Sequence, residues 1–190
     1  EWIAKVKANQ PELRTEKLER YQKEFDLPKY DAEIITGHKK FADLFEAATE
    51  LCGKPKKVSN WIMVETMRLL KENNMDPEDI RFSPVNLAKL IDLADSGSIT
   101  NTVAKEVFER IFKDDIDPEK YVEEKGLKTV NDEGALRETV QKILAENPQS
   151  VEDYHNGKEK AIGFLVGQTM KAMKGKANPA LVNQILKELL

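Results

Sequence analysis

The feature that most narrows the possible fold is the period of the apolar residues. Val103, Ala104, Val107, Phe108, Ile111 and Phe112 recur at three- and four-residue steps, the spacing that lines one face of an α-helix. The same period returns in Phe41, Leu44, Phe45, Ala48 and Leu51, in Val85, Leu87, Ala88, Leu90, Ile91 and Leu93, and in Leu181, Val182, Ile185, Leu186 and Leu189. Alternating runs rich in Val, Ile and Thr are nearly missing, and the 190 residues hold only nine glycines. The pattern predicts an all-α protein, a multi-helical bundle in two or more sub-domains.

Prolines, glycines and short polar residues cut this pattern into helices. Pro55, Pro118 and Pro179 stand where first helical residues belong, while Gly53, Gly126 and Gly157 stand where helices end. Thr15, Thr100, Asp117, Asn131 or Asp132, Ser150 and Asn178 are the expected N-caps. Trp2, Ile3 and Val6 have helical spacing, interrupted by Pro11. Val58, Trp61, Ile62, Met67, Leu69 and Leu70 predict one long, central helix. The polar run Asp114–Pro118 is the clearest internal boundary. A chain that starts at Glu1 in mid-pattern reads as a fragment of something longer.

Composition sets limits on function. Forty per cent hydrophobic and 34% charged residues fit a globular chain. A lone cysteine, Cys52, excludes an internal disulfide and suits a reducing cytoplasm. No apolar run reaches the length of a membrane span and no signal peptide is visible, so a cytoplasmic location is expected. The catalytic inventory is thin. His38 and His155 lack companions at zinc-ligand spacing, and Cys52 reads as a buried small hydrophobe. Asp114, Asp115 and Asp117 lack the glycine and glutamate of a calcium loop and read as a solvated turn. No catalytic or metal-binding residue is nominated.

One stretch stands apart. Residues 158–176 hold five lysines and one glutamate, a local charge of +4, in a chain whose net charge is −4. Residues 1–157 carry −8. Ala161, Ile162, Leu165, Val166, Thr169 and Met170 form the inner stripe of a helix that also contains Gly163 and Gly167. Each glycine costs a helix about 1 kcal/mol relative to alanine. Two readings follow: close packing of a neighbouring helix, or bare backbone offered to a bulky partner such as a sugar-phosphate chain. The lysines divide the same way, between a solvated face that complements the helix dipole and a phosphate contact. No aromatic in the stretch reads as exposed, which favours recognition of backbone and shape over base stacking.

The strings Asp153-Tyr154, Gly157–Ala161, Gly163–Gln168, Met170-Lys171 and Lys174–Pro179 resemble the C-terminus of the B subunit of glutamine-dependent aspartyl/glutamyl-tRNA amidotransferases. Leu27–Thr36, Ser59–Trp61, Gly97–Ile99, Ala104–Phe108 and Glu124–Leu127 follow that family in the same order. Stand-alone YqeY-like proteins are similar over the later part, but Pro11–Thr36 favours the amidotransferase family. The resemblance implies a helical linker, residues 1–54, followed by a YqeY-like tail that grips tRNA, with an N-terminal half at 55–115 and a C-terminal half at 116–190. It also implies an ATP- and glutamine-dependent parent enzyme converting Glu-tRNA(Gln) and Asp-tRNA(Asn) to the amidated forms. ATP and magnesium belong to a catalytic domain absent from this chain, so no cofactor is expected here. Implied partners are tRNA(Gln) or tRNA(Asn), an amidase subunit and a small subunit, with no membrane. Lys158, Lys160, Gly163, Gly167, Gln168, Lys171, Lys174 and Lys176 are carried over as tRNA-facing positions. Met173, where the family often has Thr, and His155, where it often has a basic residue, depart from its pattern. The rivals are a docking module for other subunits and a stand-alone YqeY-like protein.

Overall fold

The computed structural model describes residues 12–190. The stretch read from Trp2, Ile3, Val6 and Pro11 lies outside the described residues. Among the described residues the structure is helical, with no strand and one isolated bridge, Val130 to Ala177. Two compact units are formed: one runs to Ile91 and includes Glu109–Ile116, the other comprises Asp92–Phe108 and Asp117–Leu190.

The first unit contains α1 (Arg14–Glu24), α2 (Lys29–Gly37), α3 (Lys39–Cys52), α4 (Pro55–Asn60), a π-helical segment (Trp61–Thr66) and α5 (Met67–Glu72). A 3₁₀ turn (Pro77–Asp79) and most of α6 (Pro84–Asp95) complete it with the end of α7 (Asn101–Asp114). Helices α1 to α4 pack successively, each on the next. Tyr21 and Phe45 are fully buried, with ring centroids 4.7 Å apart, and Phe25 meets Phe45 edge-on at 5.4 Å. Thr15 is not a cap: α1 begins a residue earlier, and the Glu16 carboxylate accepts from the Leu13 N–H at 2.9 Å. Leu51 faces solvent because the buried stripe drifts along α3 and brings Thr49 inward. Cys52 beside it is half-buried, not core.

The long central helix is interrupted by its π segment. There the Thr66 hydroxyl donates to the Trp61 carbonyl at 3.0 Å. The acidic turn is not merely solvated either. Asp115 accepts from the Ser83 N–H at 2.8 Å at the start of α6, and Asp117 accepts from the Glu119 and Lys120 N–H groups.

The second unit holds the start of α7 and then α8 (Pro118–Glu124), α9 (Glu133–Glu146), α10 (Pro148–His155), α11 (Lys160–Ala172) and α12 (Pro179–Leu189). Thr100, Asp132 and Asn178 cap α7, α9 and α12 as their side chains suggest. Ser150 does not: Pro148, with φ fixed and no N–H to satisfy, opens α10 two residues earlier. Asn147 instead donates to the Ile143 carbonyl at 2.8 Å and closes α9. Helices α9, α11 and α12 share one core, in which Leu136, Val140, Leu165, Val182, Ile185 and Leu186 are buried.

Candidate functional site

The basic stretch is built on α11 and the turn that follows it. Leu165 and Thr169 are buried, while Ile162, Val166 and Met170 pack partly against the core. This anchors one side of α11 and sends the opposite side to solvent. Lys160, Gly163, Phe164, Gly167 and Lys171 are exposed there. Steps of three and four residues join them into one stripe, which spans roughly 16 Å at 1.5 Å per residue.

A side chain added at Gly163 or Gly167 would meet nothing within 4 Å. Close helix packing therefore does not explain either glycine, and the backbone is open at both. Phe164 overturns the expectation that the stretch has no exposed aromatic, since it is 48% exposed. Hydropathy alone places phenylalanine inside. Its position opposite Thr169 and Ile162 on the helix, away from the packed arc, turns it outward.

After Ala172 the chain reverses tightly. The Lys174 N–H donates to the Lys171 carbonyl at 3.0 Å and the Gly175 N–H to the Met170 carbonyl at 2.8 Å. This is a helix-ending Schellman pairing in which the left-handed position is Lys174, at φ 53°. Glycine is the residue that fits that position without steric cost. Gly175 follows at φ 72°, and a Cβ there would lie 2.9 Å from Thr102 Cγ2. The Thr100 hydroxyl donates to the Gly175 carbonyl at 2.5 Å, and the Val130 N–H donates to the Lys176 carbonyl at 2.7 Å. The turn is thus held by α7 and by the segment before α9.

This placement sorts the eight nominated residues. Lys171, Lys174 and Lys176 come together in one cleft of about 600 Å³, lined also by Thr102, Glu106, Tyr121 and Lys125. Lys160, Gly163 and Gly167 lie on the exposed stripe leading away from that cleft, and Gln168 is half-buried. Lys158 is engaged elsewhere: it pairs with Asp153 at 2.8 Å, and that hydrogen bond raises the lysine pKa and lowers that of the aspartic acid. Lys176 reaches the Gly126 carbonyl at 3.4 Å. Among the described residues, Lys160, Lys171 and Lys174 have no ion-pair partner. Sequence reading missed Lys125 and Tyr121, which enter through α8 some 45 or more residues upstream of Lys171. The two departures from the family pattern lie off the cleft lining. Met173 packs on the core, its sulfur 3.4 Å from the Thr139 hydroxyl, and the His155 ring meets the Leu190 carbonyl oxygen at 2.6 Å.

Four amines around one carboxylate, beside open backbone, suit the holding of an anionic chain. Among the described residues no cluster of three or more His, Cys, Asp or Glu is arranged for a metal ion. No helix among them is long and apolar enough to cross a membrane.

The described residues thus form an all-helical protein with a basic helix face that ends in a lysine-lined cleft. Residues 43–190 match the GatB domain family, and the chain belongs to that family. It is 70% identical over its whole length to the B subunit of the aspartyl/glutamyl-tRNA(Asn/Gln) amidotransferase of Agathobacter rectalis. It is 60% identical to the protein of the same name from Lachnoclostridium phytofermentans and 52% to that of a Thermoanaerobacter species. In each case the match takes in all of this chain and 40% of the relative.

Proposed function

We propose that this chain is a tRNA-holding region of the B subunit of an aspartyl/glutamyl-tRNA(Asn/Gln) amidotransferase. In the whole enzyme that subunit activates the misacylated residue with ATP and magnesium in another domain, and an amidase subunit supplies ammonia from glutamine. This region holds the body of tRNA(Gln) or tRNA(Asn) so that the acylated end reaches the distant active site, which is catalysis by positioning. It needs no cofactor of its own, works beside the amidase and small subunits, and acts in the cytoplasm.

The observation that carries this reading is the convergence of Lys125, Lys171, Lys174 and Lys176 on one cleft at the end of an exposed Lys/Gly stripe. The lysines stand together in a chain of net charge −4. The names carried by the relatives support tRNA as the polyanion.

The test is a salt titration of tRNA binding by wild type and by the Lys171→Glu/Lys174→Glu/Lys176→Glu variant. The variant binds at least tenfold more weakly at low salt, and its log–log salt slope is shallower by about 2 to 3. Equal affinity in the two proteins sinks the lysine assignment. Gly163→Leu adds a second arm: a Cβ there meets nothing within 4 Å, and the leucine obstructs the open strip, so tRNA affinity falls without loss of stability.

A further inference from the structure

The exposed side of α11 is more than a row of cations. Phe164 lies at its centre, facing away from the arc of Ile162, Leu165 and Thr169 that packs on the core. Its neighbours one turn away on the helix are Lys160, Ala161, Gly167 and Gln168. Two of these are among the smallest side chains. The space over Gly167 is open, with no atom within 4 Å of where a Cβ would stand. Among the described residues no other ring and no arginine contacts the Phe164 ring. The chain therefore holds an aromatic plane at 48% exposure, with low shoulders and with ammonium groups at Lys160 and Lys171 along the same face.

An apolar docking site for a protein would extend the ring into a wider hydrophobic patch. Here the surrounding stripe is lysine, glycine, alanine and glutamine. An anionic partner that also brings a flat apolar surface fits both features, and a nucleotide has that combination. We infer that Phe164 is a stacking platform for an exposed nucleobase face, while Lys160 and Lys171 hold the flanking phosphates. This rests on the tRNA reading above and deepens it. Recognition along α11 then includes a base that does not lie inside a duplex stack, and the ligand class is RNA with an unpaired nucleotide or an open end of a helical stack.

The test separates stacking from charge. Binding of tRNA is measured across a salt series for wild type, Phe164→Ala, Phe164→Leu, Phe164→Tyr and the triple lysine variant, with thermal melting as the folding control. A heparin fragment, a polyanion without bases, serves as the second ligand. Phe164→Ala and Phe164→Leu each bind tRNA about tenfold more weakly with an unchanged salt slope, and Phe164→Tyr binds as wild type. Heparin affinity is unchanged in all three and falls only in the lysine variant. In Phe164→Trp, indole emission is quenched by tRNA beyond the response of Trp2 and Trp61 in wild type.

If Phe164→Ala leaves tRNA affinity unchanged while the lysine variant weakens it, stacking is overturned and the tRNA reading stands. Recovery of wild-type affinity in Phe164→Leu also overturns stacking, because it makes the ring an apolar filler. No tRNA binding by the wild-type chain overturns both proposals.

Discussion

Two arginines of the first unit and three lysines of α11 and its closing turn have opposite surroundings. Arg20 donates to both oxygens of Glu12, at 2.8 and 2.7 Å, and to Glu46 at 2.7 Å, with its guanidinium over the Tyr21 ring. Arg68 meets Glu65, Glu72 and Glu109 at 3.1, 2.9 and 3.0 Å, and the Glu65 carboxylate is buried. Lys160, Lys171 and Lys174 have no such partner among the described residues. Arginine suits the first role because its planar fork satisfies two carboxylates at once, whereas a lysine amine is a mobile point charge. The difference teaches that charge count does not locate a binding surface. What matters is whether the protein has already neutralised the charge.

The contrast can be broken or sharpened by substitution. The largest effect is expected at Gly175→Val, which places a branched side chain at φ 72° against Thr102 and beside the hydrogen bond from Thr100. A loss of about 3 kcal/mol in urea unfolding is expected. A loss under about 0.5 kcal/mol would mean the turn is not held as described.

Next is Arg20→Met, expected to cost about 2 kcal/mol at neutral pH: Glu12 loses its two hydrogen bonds from the guanidinium, and Glu46 is left with Tyr21 and Lys17 alone. Its pH dependence follows from the carboxyls. The hydrogen bond from Arg20 holds Glu12 below the usual range. Burial pushes Glu46 upward, but Tyr21, Arg20 and Lys17 outweigh it and leave the group lowered. Depressed acids contribute stability above their unfolded pKa, about 4.3, and lose it as pH falls through the folded values. The gap between wild type and Arg20→Met should therefore close in acid. A gap that stays constant from pH 7 to pH 3 would remove Arg20 from the structural class.

Smaller and of opposite sign, Gly163→Ala and Gly167→Ala should each stabilise the chain by about 0.8 kcal/mol, since nothing opposes the new methyl groups. Destabilisation by either would show that the strip packs against something. The smallest effect on stability is expected for Lys171→Glu/Lys174→Glu/Lys176→Glu, within about 0.5 kcal/mol in thermal melts. A larger loss would place these lysines with the arginines as structural.

Much of the helical framework was legible in the sequence. The 3.6-residue period of Val103–Ile111 and of Leu181–Leu186 marks buried faces, and Asp117-Pro118 and Asn178-Pro179 mark starts, because caps and periodicity are local chemistry. Misreadings arose where local signals compete. Ser150 and Thr15 are good caps in isolation, but Pro148 and the reach-back of Glu16 begin those helices earlier. The π segment at Trp61–Thr66 leaves the composition of a normal helix unchanged and so gives no sequence signal.

The candidate site divides along the same line. The sequence by itself determined the lysine and glycine content of residues 158–176, the helix beneath them and the turn at its end, since each depends on neighbours a few positions apart. Only the tertiary structure decided that Lys125 joins Lys171 and Lys174, that Phe164 faces outward and that Gly175, not Gly163 or Gly167, is the glycine in close packing. These outcomes depend on which groups from distant parts of the chain occupy the surrounding space, and a one-dimensional period does not carry that information.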